Sequence, residues 1–256
     1  TPRQAELWLA LHEQFAPPAD LVPLYEQAAQ TAAANWPHPN GTLIALGCGG
    51  GEKDCRLLRH LPNETRFVPT DVSEPLVRQA AALAARECPD AEIVPLVFDL
   101  ASADHLNEFI EPHLTADRMF TFFGLLPNFQ PAEILPNLRA LLSPGNTLLL
   151  SANLAPNGIE AILPQYDNEP TAQWLHEFPR ANSFPDGEVV MSAERDGDLD
   201  RIVARYVSPA STTQLFVSYR YTVATLRDTL QPHGILIEQE FISANGEEGV
   251  FLCAIQ

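Results

Sequence analysis

The chain has 256 residues, 46% of them apolar, and a formal net charge of −18, which is enough length and apolar content for one core of α/β size. Only 15 Lys and Arg stand against 33 Asp and Glu; this excludes tight binding to a nucleic-acid backbone, because phosphate contacts require clustered cations. Cys48, Cys55, Cys88 and Cys253 and the seven scattered histidines show no paired-ligand spacing, so neither a metal site nor a disulfide framework is implied.

Residues 1–40 read as an N-terminal helical cap. Leu7, Leu11 and Phe15, then Leu21, Leu24, Tyr25, Ala28 and Ala32, recur at helical spacing on either side of Pro17-Pro18. Residues 41–256 read as one domain. From Thr42, strand and helix patterns alternate: strand 42–46, helix 53–61, strand 66–70, helix 74–87, strand 92–98, helix 104–112, strand 118–123, helix 132–142 and strand 146–152. That alternation predicts the α/β class, with a doubly wound, mostly parallel, Rossmann-like sheet whose ligands sit beyond the strand C-termini. Pro75 in a first helical turn, with Ser73 as the cap before it, places Asp71-Val72 in the turn leaving the second strand.

After residue 152 the rhythm changes. Residues 153–185 are loop-rich with a short helix near 170–178, and strand-like runs follow at 188–194, 201–207 and 214–221. An inserted substrate lid is expected over about 153–221. The tail offers helix 223–230 and strands 235–242 and 248–255 joined through Asn245-Gly246, predicting a C-terminal antiparallel hairpin. No apolar run reaches the roughly eighteen residues of a membrane span, so no membrane partner is expected and the cytoplasm is the expected location. The oligomeric state is not encoded in any of these patterns.

The chemistry begins at Gly47-Cys48-Gly49-Gly50-Gly51, directly after the first strand and before a helix. Glycines turn sharply at positive φ and let bare backbone approach a ligand, and the helix behind them offers free N–H groups. A dinucleotide loop would read Gly-x-Gly-x-x-Gly, whereas here the spacing is Gly47-x-Gly49-x-Gly51 with Glu52 at the third-glycine position, which favours S-adenosylmethionine. Asp71, after strand two, is placed to accept from ribose hydroxyls. Asp99, after strand three, is placed to accept from an adenine amino group, with Leu100 packing the ring; capping of the following helix is the other role open to Asp99. Phe120 and Phe122 share one strand face and read as buried, while Phe123 and Phe129 read as lining the cleft.

These residues resemble the S-adenosylmethionine-dependent methyltransferase family typified by the histidine-specific Nα-methyltransferases of ergothioneine biosynthesis. The resemblance rests on Leu46–Lys53, on Phe67-Val68-Pro69-Thr70-Asp71-Val72-Ser73, and on Phe98-Asp99-Leu100 with His105-Leu106. It extends through Phe123–Phe129, Tyr166-Asp167-Asn168 and Val217–Tyr221. It implies the class I methyltransferase fold, with Gly47, Lys53, Asp71, Asp99 and Leu100 on the cofactor; Gly49, Gly51, Val72 and Phe123 complete the expected cofactor set. By the same resemblance Asn128 and Tyr166 hold the amino-acid end of an acceptor, and Ser218 lines its side-chain pocket. The family's N-terminal Tyr-Tyr-Pro-Thr-Arg-type segment has no counterpart in residues 1–41. Where the histidine-specific member has a glutamate two residues before the serine, this chain has Phe216, so the resemblance implies an acceptor with an apolar or aromatic group rather than histidine.

The expected activity is methyl transfer to a small-molecule acceptor, at an amine nitrogen of an amino-acid-like or aromatic metabolite. Tyr166 and Asn128 are the catalytic candidates; Tyr166, Asp167 and the Glu247-Glu248 pair are candidates to take the amine proton. The alternatives are a degenerate member that binds cofactor or a protein partner without turnover, and a nicotinamide-dependent oxidoreductase, which the loop spacing and the lack of a Tyr-x-x-x-Lys pair disfavour.

Overall fold

The computed structural model of the chain describes residues 2–15, 18–36, 38–101 and 117–256. The helix expected at 104–112, together with His105-Leu106, lies outside the described residues. Two helices come first, α1 (Pro2–Phe15) and α2 (Pro18–Ala34), separated at the proline pair as the spacing predicts.

The main sheet takes strands β1 (Thr42–Leu46), β2 (Arg66–Asp71), β3 (Glu92–Ile93), β4 (Leu96–Val97), β5 (Arg118–Phe122), β6 (Thr147–Asn153), β10 (Ile235–Ile242) and β11 (Glu248–Ile255). Its order is β10-β11-β6-β5-β1-β2-β3, with β4 also pairing β2. Pairing is parallel from β2 through β1 and β5 to β6, and antiparallel where β11 joins β6 and β10. The chain therefore carries the expected mostly parallel sheet closed by a C-terminal hairpin, with Gly246 turning at φ 75°.

Alternation along each strand divides the core into two layers, because successive side chains leave opposite faces. Ile44, Leu46, Phe120, Phe122, Leu148 and Leu150 meet the helices α5 (Pro131–Leu141) and α8 (Val223–Leu230). Leu43, Ala45, Phe67, Met119 and Leu149 face the other way, onto α2, α3 (Glu52–Leu58) and α4 (Glu74–Glu87). β1 is buried at every residue, as a strand covered on both faces must be.

The single strand expected at 92–98 is two short strands. Val94-Pro95 interrupts it, and Pro95 has no N–H to continue a ladder; pairing resumes where Phe98 N donates to Asp71 O at 2.9 Å. Ser73 stands at the N-cap of α4, but its hydroxyl makes no capping bond. Phe129 packs against the core and does not line the cleft.

After β6 come the short α6 (Ile159–Ile162) and α7 (Glu169–Ala181), then a second, wholly antiparallel sheet of β7 (Glu188–Asp196), β8 (Leu199–Val207) and β9 (Thr212–Arg220). Asn168 caps α7 by accepting from Thr171 N at 3.0 Å. This small sheet rejoins the main one where Tyr221 bridges Leu154. No helix among the described residues is long and apolar enough to cross a membrane.

Candidate active site

The C-terminal ends of β1, β2 and β5 open into a cavity of about 1140 Å³ walled by the glycine loop, Asp71-Val72, Phe123–Leu125 and Asn128, with Trp8, Leu21, Val22 and Tyr25 from the N-terminal helices. Gly47, Gly49 and Gly51 adopt φ of 67°, 51° and 86°, the left-handed region that side chains disfavour. A Cβ on Gly47 would lie 2.2 Å from Leu125, and one on Gly51 would lie 2.8 Å from Ala80. Gly51 thus serves the packing of α3 against α4, whereas Gly47 and Gly49 face the cavity.

Asp71 ends β2 at the cavity. Its carboxylate accepts from Gly49 N at 3.2 Å and Ser73 N at 2.9 Å; burial pushes its pKa up, and these backbone donors oppose the rise. Val72, beside it, is 69% exposed in the cavity wall, an apolar face set next to a carboxylate and bare backbone. That combination fits a ligand with ribose hydroxyls and a flat ring, so the residues present suit S-adenosylmethionine.

Lys53, one residue into α3, donates to Tyr25 Oη at 2.8 Å and to Glu248 Oε1 at 3.4 Å, and Tyr25 in turn donates to Glu248. Burial works against the Lys53 ammonium, but Tyr25 and Glu248 outweigh it and raise its pKa. The sequence reading missed Tyr25, which reaches this group from α2 and stands edge-on to Phe123 with centroids 5.1 Å apart. It also missed Asp54, a buried cavity residue whose carboxyl burial raises to about 7 although Thr121 donates to it. A second acid in the first helical turn, directly behind the glycine loop, was the available signal.

Tyr166, Phe216 and Ser218 form a second cluster behind Trp174, which also lines the cavity. Phe216 stacks on Tyr166 at 5.8 Å and meets Trp174 edge-on at 5.8 Å. Ser218 Oγ lies 3.3 Å from Tyr166 Oη, and Arg220 donates to the same phenol oxygen. Asn128 is exposed at the cavity wall, its Nδ2 donating to Gly124 O at 2.9 Å. Asp99 and Leu100 are not among the residues that line the cavity: Asp99 accepts from Ala101 N at 2.9 Å, and Leu100 is buried in the core. Glu247 accepts from Gln165 at 3.0 Å, away from the Glu248 group, and Asp167 does not line the cavity either.

A family profile described as "Histidine-specific methyltransferase, SAM-dependent" matches residues 16–183. Histidine N-alpha-methyltransferase of Mycolicibacterium smegmatis is 35% identical over 120 residues, covering 44% of this chain and 36% of that protein. Carboxy-S-adenosyl-L-methionine synthase of Chromohalobacter salexigens is 29% identical over 146 residues, covering 56% of this chain and 49% of that protein. The matched stretch thus spans about a third of the length of the first relative and about half of the second. The solved structure of mitomycin 7-O-methyltransferase superposes with a TM-score of 0.51 at 16% identity, over 98% of this chain and 60% of that one, a likeness of fold. The matched profile covers well over half of the sequence, and the chain belongs to the histidine-specific, S-adenosylmethionine-dependent methyltransferase family.

Proposed function

We propose that this chain is an S-adenosylmethionine-dependent methyltransferase acting in the cytoplasm on a small-molecule acceptor, at an amine nitrogen of an amino-acid-like or aromatic metabolite. The observation that carries the reading is the meeting of Gly47, Gly49 and the Asp71 carboxylate in one cavity at the ends of β1 and β2. The histidine N-alpha-methyltransferase relative supports nitrogen as the accepting atom.

In this reading Asp71 accepts from the ribose hydroxyls, Gly47 and Gly49 present backbone, Val72 and Phe123 pack the ring, and Lys53 fixes the loop-side wall. The cofactor supplies an electrophilic methyl group. The chain's task is then to orient the acceptor lone pair at about 3 Å and to exclude water. Asn128 at the cavity wall orients the acceptor, Trp8, Leu21 and Val22 keep water out, and Tyr166, Phe216 and Ser218 supply the acceptor's side pocket. Asp54, with its carboxyl raised to about 7, can hold or release a proton near neutral pH.

Calorimetric titration with S-adenosylmethionine, S-adenosylhomocysteine and NAD tests the reading. Micromolar binding of the two sulfur ligands without NAD binding, followed by methyl transfer to a member of an amine panel, is the expected result. Binding of NAD alone would sink it, and cofactor binding with no transfer across the panel would place the chain among non-catalytic members.

A further inference from the structure

The second cluster holds more hydrogen-bond donors than acceptors. Building on the methyltransferase reading, we propose that Arg220, Tyr166 and Ser218 form a subsite for a carboxylate carried by the methyl acceptor, beside the aromatic wall of Phe216 and Trp174.

Phe216, Ser218 and Arg220 alternate along β9, so they leave one face of the small sheet, while Val217 and Tyr219 turn to the core. Arg220 is 6% exposed, yet it forms no ion pair among the described residues, even though Asp200 stands opposite it in the ladder. Its guanidinium donates to Tyr166 Oη and to Leu154 O at 3.4 Å, and its Nε has no partner among the described residues. A buried cation without a counter-charge is costly to the fold. Its retention next to the proposed acceptor pocket is explained if a ligand supplies the anion.

The direction of the hydrogen bonds says what that ligand must offer. Arginine only donates, so Tyr166 Oη accepts from it; the phenol and Ser218 Oγ share one hydrogen bond at 3.3 Å, in which either hydroxyl can donate. Asn153 Nδ2 also donates to Ser218 Oγ at 3.3 Å. Whichever hydroxyl donates in the Tyr166–Ser218 pair, one of the two O–H protons is left for a further acceptor. Trp174 Nε1, on the flank, is buried without a partner among the described residues. An ammonium brought here would face the Arg220 charge and the unspent N–H groups of Arg220 and Trp174, whereas a carboxylate can accept from these and from the spare hydroxyl and matches the guanidinium fork.

Probes that cannot be methylated at nitrogen separate this subsite from turnover. Phenylacetate and indole-3-acetate, their carboxamides, and phenyl phosphate are titrated into the protein loaded with S-adenosylhomocysteine, in the wild type and in Arg220→Gln and Arg220→Lys. Each acid is expected to bind about tenfold or more tightly than its amide. Arg220→Gln should erase that preference without changing S-adenosylhomocysteine affinity, and Arg220→Lys should restore part of it. Equal binding of acid and amide by the wild type, no binding of either acid, or a preference that survives Arg220→Gln overturns the proposal. Phenyl phosphate binding more tightly than both acids overturns the carboxylate assignment in favour of a phosphate. If Arg220→Gln does not fold, the wild-type comparison and Arg220→Lys decide. Failure of S-adenosylhomocysteine to bind while the acid preference persists rejects the methyltransferase reading and leaves the subsite standing.

Discussion

Two carboxyls within one site are held in opposite ways. Asp71 is kept at the end of β2 by backbone donors from Gly49 and Ser73, so it is oriented before any ligand arrives. Asp71→Ala removes the acceptor for two hydroxyls and should weaken S-adenosylhomocysteine binding by roughly 2–3 kcal/mol, read by calorimetry, with thermal unfolding showing the fold intact. Asn128 is exposed and bonded only locally. Asn128→Ala should leave cofactor affinity unchanged and lower kcat, and normal kinetics would remove Asn128 from the acceptor site. Asp54 is shielded by burial, and its carboxyl rises from 3.8 to about 7. A carboxyl raised in the folded state costs nothing below its unfolded pKa and progressively destabilises the fold as pH climbs from about 4 to about 7, after which the loss is constant. Asp54→Asn, which can still accept from Thr121, should therefore match the wild type near pH 4 and exceed it well above pH 7 by on the order of 4 kcal/mol, as denaturant melts at both pH values would show.

At the scale of elements, the cavity is assembled where α2, α3 and β11 converge on one ionic group. Lys53 and Glu248 are largely buried, with side chains 27% and 17% exposed. Glu248→Gln leaves the ammonium short of a counter-charge and should cost about 2 kcal/mol of stability, measurable in urea; an unchanged midpoint would mean that water already carries the charge. This group also marks the boundary of what the sequence could reveal. The glycine loop, Asp71 and the alternation of strands and helices were legible, because each depends on neighbours within a few residues. Tyr25 and Glu248 are 223 residues apart, and only the completed sheet brings them together. The break at Val94-Pro95 was hidden for a different reason: an apolar run masked a proline that cannot donate. Of the second cluster, Tyr166, Phe216 and Ser218 were expected through resemblance, while Arg220 and Trp174 stand out only once orphaned donors are counted.

For the molecule as a whole, the two N-terminal helices play unequal parts. Leu24, Tyr25, Ala28, Ala29 and Ala32 of α2 are buried in the same layer as Leu43, Phe67 and Leu252, so α2 forms part of the sheet's packing, whereas α1 brings Gln4 and Trp8 to the cavity. Removing residues 1–34 should therefore expose that face and abolish cooperative thermal unfolding; a sharp transition in the shortened protein would show that the core closes without α2.

The small sheet has a further consequence. The chain leaves the main sheet at Asn153 and returns at Tyr221, whose N–H donates to Asn153 O at 3.0 Å, with Leu154 bridging Tyr221 beside it. The whole excursion, carrying Tyr166, Trp174, Phe216 and Arg220, starts and finishes at a single seam. It is a cassette in the engineering sense: a different excursion with ends as close together can be spliced at that seam, while the glycine loop and Asp71 stay on a separate stretch of chain.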